Sequence, residues 1–138
     1  MQIALSKRGD YAVRAILDLV RHGDLGRRKA REIALATEVP PKFLPQILAA
    51  LVQAGLVDAR AGRQGGYTLR RPPADISLLD VIRAVEPTDE APGCLLWGRP
   101  CDAGNACAIH VHWTAAQEAL NAELAKTRFA DLLPAASV

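Results

Sequence analysis

The sequence predicts a mainly α fold: a winged helix-turn-helix, then a cysteine loop, then a long C-terminal helix. Three observations predict it. Half of the 138 residues are hydrophobic but only 4% are aromatic, so the apolar content is mostly Ala, Leu, Val and Ile, which suits helices packed on helices. Apolar residues recur at helical spacing in several segments. A glycine-rich basic turn lies between two short apolar runs, the pattern of a hairpin.

Taken in order, Ser6 is a candidate N-cap for a helix running to about His22. Ala12, Ala15, Ile16, Leu19 and Val20 make its buried face. Gly26-Arg27-Arg28-Lys29 is a basic loop, and a short helix follows from Ala30 to Thr37. Val39-Pro40-Pro41 forms a turn, since proline lacks an N–H and restricts the residue before it. The next helix runs from about Lys42 to Ala54, with Leu44, Ile47, Leu48 and Leu51 as its apolar stripe and Gly55 at its C-terminal cap. Pro45 is tolerable only in the first turn, so this helix starts late. Two helices joined by a tight turn make a helix-turn-helix.

Leu56 to Ala59 reads as a strand, residues 60–66 as a basic turn, and Tyr67-Thr68-Leu69 as the returning strand. This is the wing, with Arg60, Arg63 and Gln64 near its tip. Ser77 caps a helix from Leu78 to Val85, and Pro87 stops it. Thr88 to Ala106 is a long loop. The last helix runs from about Ala108 to Thr127, with a narrow stripe of Trp113, Ala116, Leu120 and Leu124 that packs on its own domain or on a second copy. Phe129, Leu132 and Leu133 are placed to finish that packing. The expected organisation is 1–87 for the winged helix-turn-helix, 88–109 for the cysteine loop, and 110–138 for the final helix and tail.

Charge separates along the chain. Residues 1–87 carry 14 Lys/Arg against 9 Asp/Glu, and residues 88–138 carry 3 against 6. A basic front half fits a surface facing nucleic acid. Lys42 and Gln46 are placed to meet base edges or phosphates, since Gln can read adenine bidentately. Arg60, Arg63 and Gln64 should reach the adjacent backbone or minor groove, and Arg28, Lys29 and Arg31 are candidate phosphate contacts. The N-terminus has no apolar run of the secretory kind, and no stretch is long and apolar enough to span a membrane, so a cytoplasmic protein is expected.

Cys94, Cys101 and Cys107 are the only cysteines, all within one Gly/Pro-broken stretch. An odd count cannot pair off in internal disulfides. Clustered thiols on a loop can hold an iron–sulfur cluster, whereas structural zinc more often uses closer C-x₂-C pairs, which are absent here. Three thiols leave a fourth ligand to find. His110, three residues after Cys107, and Asp10, on the first helix, are the candidates.

Asp10-Tyr11-Ala12-Val13-Arg14-Ala15, Phe43-Leu44-Pro45-Gln46-Ile47-Leu48, residues 51–57 and Gly62-Arg63-Gln64-Gly65-Gly66-Tyr67-Thr68-Leu69 resemble the Rrf-two family of bacterial winged-helix transcription regulators. The resemblance covers roughly Met1 to Leu133. It implies a homodimer held by the C-terminal dimerisation helix, acting on a palindromic operator in double-stranded DNA. It further implies, for the cluster-binding members that the cysteine loop matches, a cluster near the dimer interface. Relatives complete the ligand set with a histidine or with an acidic residue reaching from the partner subunit. This favours Asp10 and a 4Fe-4S cluster, with 2Fe-2S and His110 as the alternative. Ala61 stands where many members have the arginine before the wing glycine, so a minor-groove arginine falls to Arg60 or Arg63.

Competing expectations are a winged-helix regulator sensing thiol oxidation or binding zinc, and an electron-transfer or cluster-carrier protein. An enzyme is not expected: there is no nucleophile signature, no phosphate loop and no dinucleotide fingerprint.

Overall fold

A computed structural model describes residues 4–86 and 107–132. Helix α1 spans Lys7–His22, α2 Ala30–Thr37 and α3 Leu44–Gln53; strands β1 (Val57–Arg60) and β2 (Gly66–Leu69) follow, then α4 (Leu78–Val85) and α5 (His110–Lys126). Two 3-10 turns, Pro73–Asp75 and Phe129–Leu132, were not anticipated. No helix among the described residues is long and apolar enough to cross a membrane.

Local chemistry sets most boundaries. Ser6 caps α1, its hydroxyl accepting the Gly9 N–H at 3.1 Å. Ser77 and Asp80 form a reciprocal capping box on α4. Helix α3 begins at Leu44, two residues later than expected, because the Phe43 N–H is taken by the Pro40 carbonyl in the preceding turn. Pro45 then sits in the first helical turn, where its missing N–H costs nothing. Gly55, with φ +79°, follows the C-cap of α3 and turns the chain into β1.

The strands pair antiparallel from Val57 opposite Leu69 to Arg60 opposite Gly66, so β1 runs one residue further than expected. A third segment joins them: Arg28 and Tyr67 exchange backbone hydrogen bonds of 2.9 and 2.7 Å.

The core sits between α1, α2, α3 and α4. Ile16, Ile33, Leu44, Leu48, Leu51, Ile76 and Val81 are buried there, each contributing about 1.5–3 kcal/mol by removal from water. Phe129 is also fully buried in this cluster. The expectation that it finishes the stripe of the last helix is not met: it packs into the core of α1 to α4. The Leu78 N–H donates to Thr127 O at 2.9 Å and the Phe129 N–H to Ile76 O at 3.0 Å. The chain after α5 is thereby stitched to the helix-turn-helix. Leu133 lies outside the described residues.

Helix α5 starts at His110 and ends at Lys126, slightly inside the expected limits. None of its residues is buried. Trp113 and Leu124 are half-buried, while Ala116 and Leu120 are exposed.

Candidate nucleic-acid interface and cysteine segment

Helix α3 divides by face. Leu44, Ile47, Leu48 and Leu51 point into the core, while Lys42, just before the helix, and Gln46, in its first turn, are exposed. A buried stripe on one side fixes the helix's rotation, so the opposite side is presented outward with Gln46 on it.

The wing depends on its glycines. A Cβ on Gly65 would lie 2.1 Å from Arg60 O, and one on Gly66 would lie 2.6 Å from Arg28 O. Gly66 also has φ +135°, a conformation that side-chain-bearing residues avoid. The Gly65 N–H closes the turn onto Gly62 O at 3.1 Å. Arg60, Arg63 and Gln64 are left exposed on this tight loop.

The basic run 27–29 does something different from what the sequence suggested. The Arg28 guanidinium makes a fork on Asp18, with two hydrogen bonds of 3.0 Å, and reaches Glu32 at 3.4 Å. Its side chain is only 17% exposed and that of Asp18 only 10%. Arg28 is therefore occupied inside the protein and not presented to a phosphate. Arg27 binds the Asp58 carboxylate on β1 and the Gly66 carbonyl on β2. Lys29 Nζ donates to Gly62 O at the wing tip, 2.8 Å away. Two cations, Arg27 and Lys29, thus clamp the wing to the start of α2, and the backbone of Arg28 between them pairs with Tyr67. Arg31, the second residue of α2, is exposed. The Arg27 hydrogen bond holds the Asp58 carboxyl below the usual range. The Lys29 backbone N–H does the same for Glu32, and the bond to Asp18 raises Arg28 still further.

Sequence reasoning did not single out Arg27, Asp18 or Asp58. Asp18 had a readable signal: it interrupts Ile16-Leu17-Asp18-Leu19-Val20 on the buried side of α1. A carboxylate there requires a cation or neutralisation. Which cation supplies it is a tertiary fact.

Cys94 and Cys101 lie outside the described residues; Cys107 is half-buried just before α5. The His110 N–H donates to Cys107 O at 3.1 Å, placing the two residues in one turn. Asp10 is in the first turn of α1, where its carboxylate binds Arg14 at 2.9 Å. Arg14 also donates to Thr37 O at the end of α2. Among the described residues no group of three or more His, Cys, Asp or Glu comes together.

The profile of the family described as Rrf2, iron-dependent transcriptional regulator, matches residues 5–135. The chain belongs to the Rrf2 family. A Mycobacterium tuberculosis protein, provisionally named an HTH-type transcriptional regulator, is 32% identical over 93% of this chain and 80% of its own length. The HTH-type transcriptional regulator IscR of Photorhabdus laumondii is 33% identical over 79% of this chain and 66% of its own length. Among solved structures, T. potens IscR superposes with a TM-score of 0.80 and 30% identity, covering 99% of this chain and 90% of that one. Staphylococcus aureus CymR superposes with a TM-score of 0.74 and 26% identity, covering 94% and 97%. These likenesses fix the fold as a winged helix-turn-helix and the protein as a DNA-binding transcription regulator, not an enzyme.

Proposed function

We propose that this Rrf2 regulator acts as a cytoplasmic homodimer on a palindromic operator, and that an iron–sulfur cluster bound through Cys94, Cys101 and Cys107 sets its affinity for DNA. The observation that carries the cluster reading is the three-cysteine segment in a member of this family. The donor set suits iron: thiols are its preferred protein ligands, and Cys107 is half-buried beside His110. Asp10 is the favoured fourth ligand, from the partner subunit. It is engaged by Arg14, so binding iron requires it to exchange one partner for another. His110 is the alternative. A bound cluster would supply a centre reactive toward oxygen, nitric oxide or changes in iron status.

The dimer reading rests on α5. A 17-residue helix with no buried residue is hard to sustain alone in water. Ala116 and Leu120 are exposed along it, on the face that half-buried Trp113 and Leu124 share, and a second copy of α5 would cover that stripe. Two-fold symmetry would then set the two α3 helices about 34 Å apart, one turn of DNA. Lys42, Gln46, Arg60, Arg63, Gln64 and Arg31 are the residues we assign to DNA, with Lys29 next to them.

A second reading is regulation by thiol oxidation or zinc without a cluster; the likeness to Staphylococcus aureus CymR in an oxidized form, at a TM-score of 0.75 and 25% identity, supports its oxidation branch. One experiment separates the two. The protein is purified without oxygen, and its visible spectrum is read alongside assays for iron and sulfide. About four irons per chain supports 4Fe-4S, and about two supports 2Fe-2S and His110. A colourless, iron-free protein after attempted reconstitution removes the cluster and leaves the thiol or zinc reading.

A further inference from the structure

Phe43 occupies a position that a polar residue would ordinarily fill. It is the N-cap of α3 and makes no side-chain cap hydrogen bond. Replacing a good N-cap with an apolar residue costs a helix stability. The residue is also 42% exposed, and it is the only aromatic among the large exposed hydrophobics of the described residues. An exposed aromatic at the start of α3 is available for contact beyond the fold.

The ring is held in place. Tyr11 on α1 stacks on it, with centroids 6.1 Å apart and planes 19° apart. Lys42 Nζ lies 4.9 Å from its centroid. Beside it runs a groove of about 250 Å³ between the N-terminal ends of α1 and α3. Tyr11, Phe43 and Ile47 give this groove an apolar wall, Gln46 a polar one, and Lys7 and Arg8 a cationic rim. Arg8 is partly engaged, since its Nε donates to Val85 O at 2.8 Å. Phe43 and Gln46 are three residues apart, so they lie on one side of the helix end.

We propose that Phe43 is a specificity-determining residue that reads a thymine through its C5-methyl, next to the base pair addressed by Gln46. The thymine methyl is the apolar group that a base pair shows in the major groove, and an apolar side chain is its natural partner. A glutamine beside it is suited to adenine N6 and N7. Lys7 on the rim and Lys42 over the Phe43 ring fit the phosphates that flank such a step. Stacking on Tyr11 fixes the ring beforehand, so little side-chain freedom is lost when the methyl is covered. The proposal rests on the reading that α3 enters the major groove.

The test begins by selecting duplexes from a random library with the full-length wild-type protein. In the best duplex each thymine is replaced, one position per half-site at a time, by deoxyuridine, which removes only the methyl. Affinity is read by fluorescence anisotropy. One position should weaken binding about fourfold per half-site, or about fifteenfold when both half-sites are changed, the effect of burying one methyl group. Phe43→Ala should bind the thymine duplex more weakly and lose that penalty at that position alone. Phe43→Leu, which keeps apolar surface, should retain part of it and serves if the alanine variant folds poorly. Indifference of the wild type to every replacement overturns the proposal while leaving DNA binding intact, as does an unchanged penalty in Phe43→Ala. A Phe43→Ala protein that sediments in a different oligomeric state assigns the groove to contact between copies instead. If no duplex is enriched by the wild type, the major-groove reading falls together with the proposal.

Discussion

At the scale of single residues, Arg28 and Arg31 look alike in sequence and differ in the folded protein. Arg28 is forked onto Asp18, and both side chains are largely buried. Removing one partner of such a pair leaves a charge in poor surroundings. We expect Arg28→Ala to lower unfolding stability by about 3 kcal/mol, measured by urea denaturation. Replacing both partners with apolar residues, Arg28→Met with Asp18→Leu, should recover most of that loss. Arg31 is exposed, so Arg31→Ala should change stability by less than about 0.5 kcal/mol. It should instead weaken DNA binding for all sequences and flatten its salt dependence by about one phosphate contact. An unchanged urea midpoint for Arg28→Ala would show that the fork holds nothing. The sequence displayed the cationic run plainly, but not its division of labour. That division depends on which carboxylates come near, and Asp18 and Asp58 lie 10 and 31 residues from their arginines.

At the scale of elements, the wing is the clearest case of sequence dictating form. Its two glycines of closest approach sit where a methyl would strike the carbonyl of Arg60 or of Arg28. We expect Gly65→Ala to cost about 1–3 kcal/mol and to loosen the wing, which should appear as lower DNA affinity with α-helical circular dichroism retained. The clamp beneath the wing carries a pH signature. Asp58 and Glu32 both titrate below their ordinary values of 3.8 and 4.5, first through the Arg27 side chain and the Lys29 backbone N–H respectively. A depressed carboxylate contributes stability that is complete above its ordinary value and is lost as pH falls through the depressed one. Stability measured by thermal melts should therefore hold from pH 7 to about 5 and fall as pH drops below the ordinary carboxylate range. Asp58→Asn should shallow that fall, and an unaltered profile would detach Asp58 from it. Helices α1, α2 and α4 were legible to within a residue because capping and apolar spacing are local signals. The starts of α3 and α5 came two residues later than expected, that of α3 because a turn carbonyl takes the Phe43 N–H. The bridge between Arg28 and Tyr67 pairs residues 39 apart and left no local trace.

At the scale of the whole molecule, the segment after α5 packs into the core that α1 to α4 build. Phe129 closes the same core that Ile16 and Leu48 begin. Any force on α5 is therefore passed to the helix-turn-helix through the pairing of residues 76–78 with 127–129. This continuity could not be read from composition, since a Phe after a long helix looks equally suited to closing a dimer. It gives the proposed dimer a mechanical meaning: the two α5 helices would set the distance between the two wings. Leu120 is 41% exposed on α5 and outside the core, so charging it should leave the DNA-binding domain folded. We expect Leu120→Glu to sediment as a monomer and to lose on the order of a hundredfold or more in operator affinity, because the second half-site is no longer held at high effective concentration. Its affinity for a single half-site should stay near that of the wild type, which separates loss of coupling from loss of the DNA surface. A variant that remains dimeric and keeps full operator affinity would move the interface off this face of α5, and with it the route by which the cysteine segment could reach the DNA.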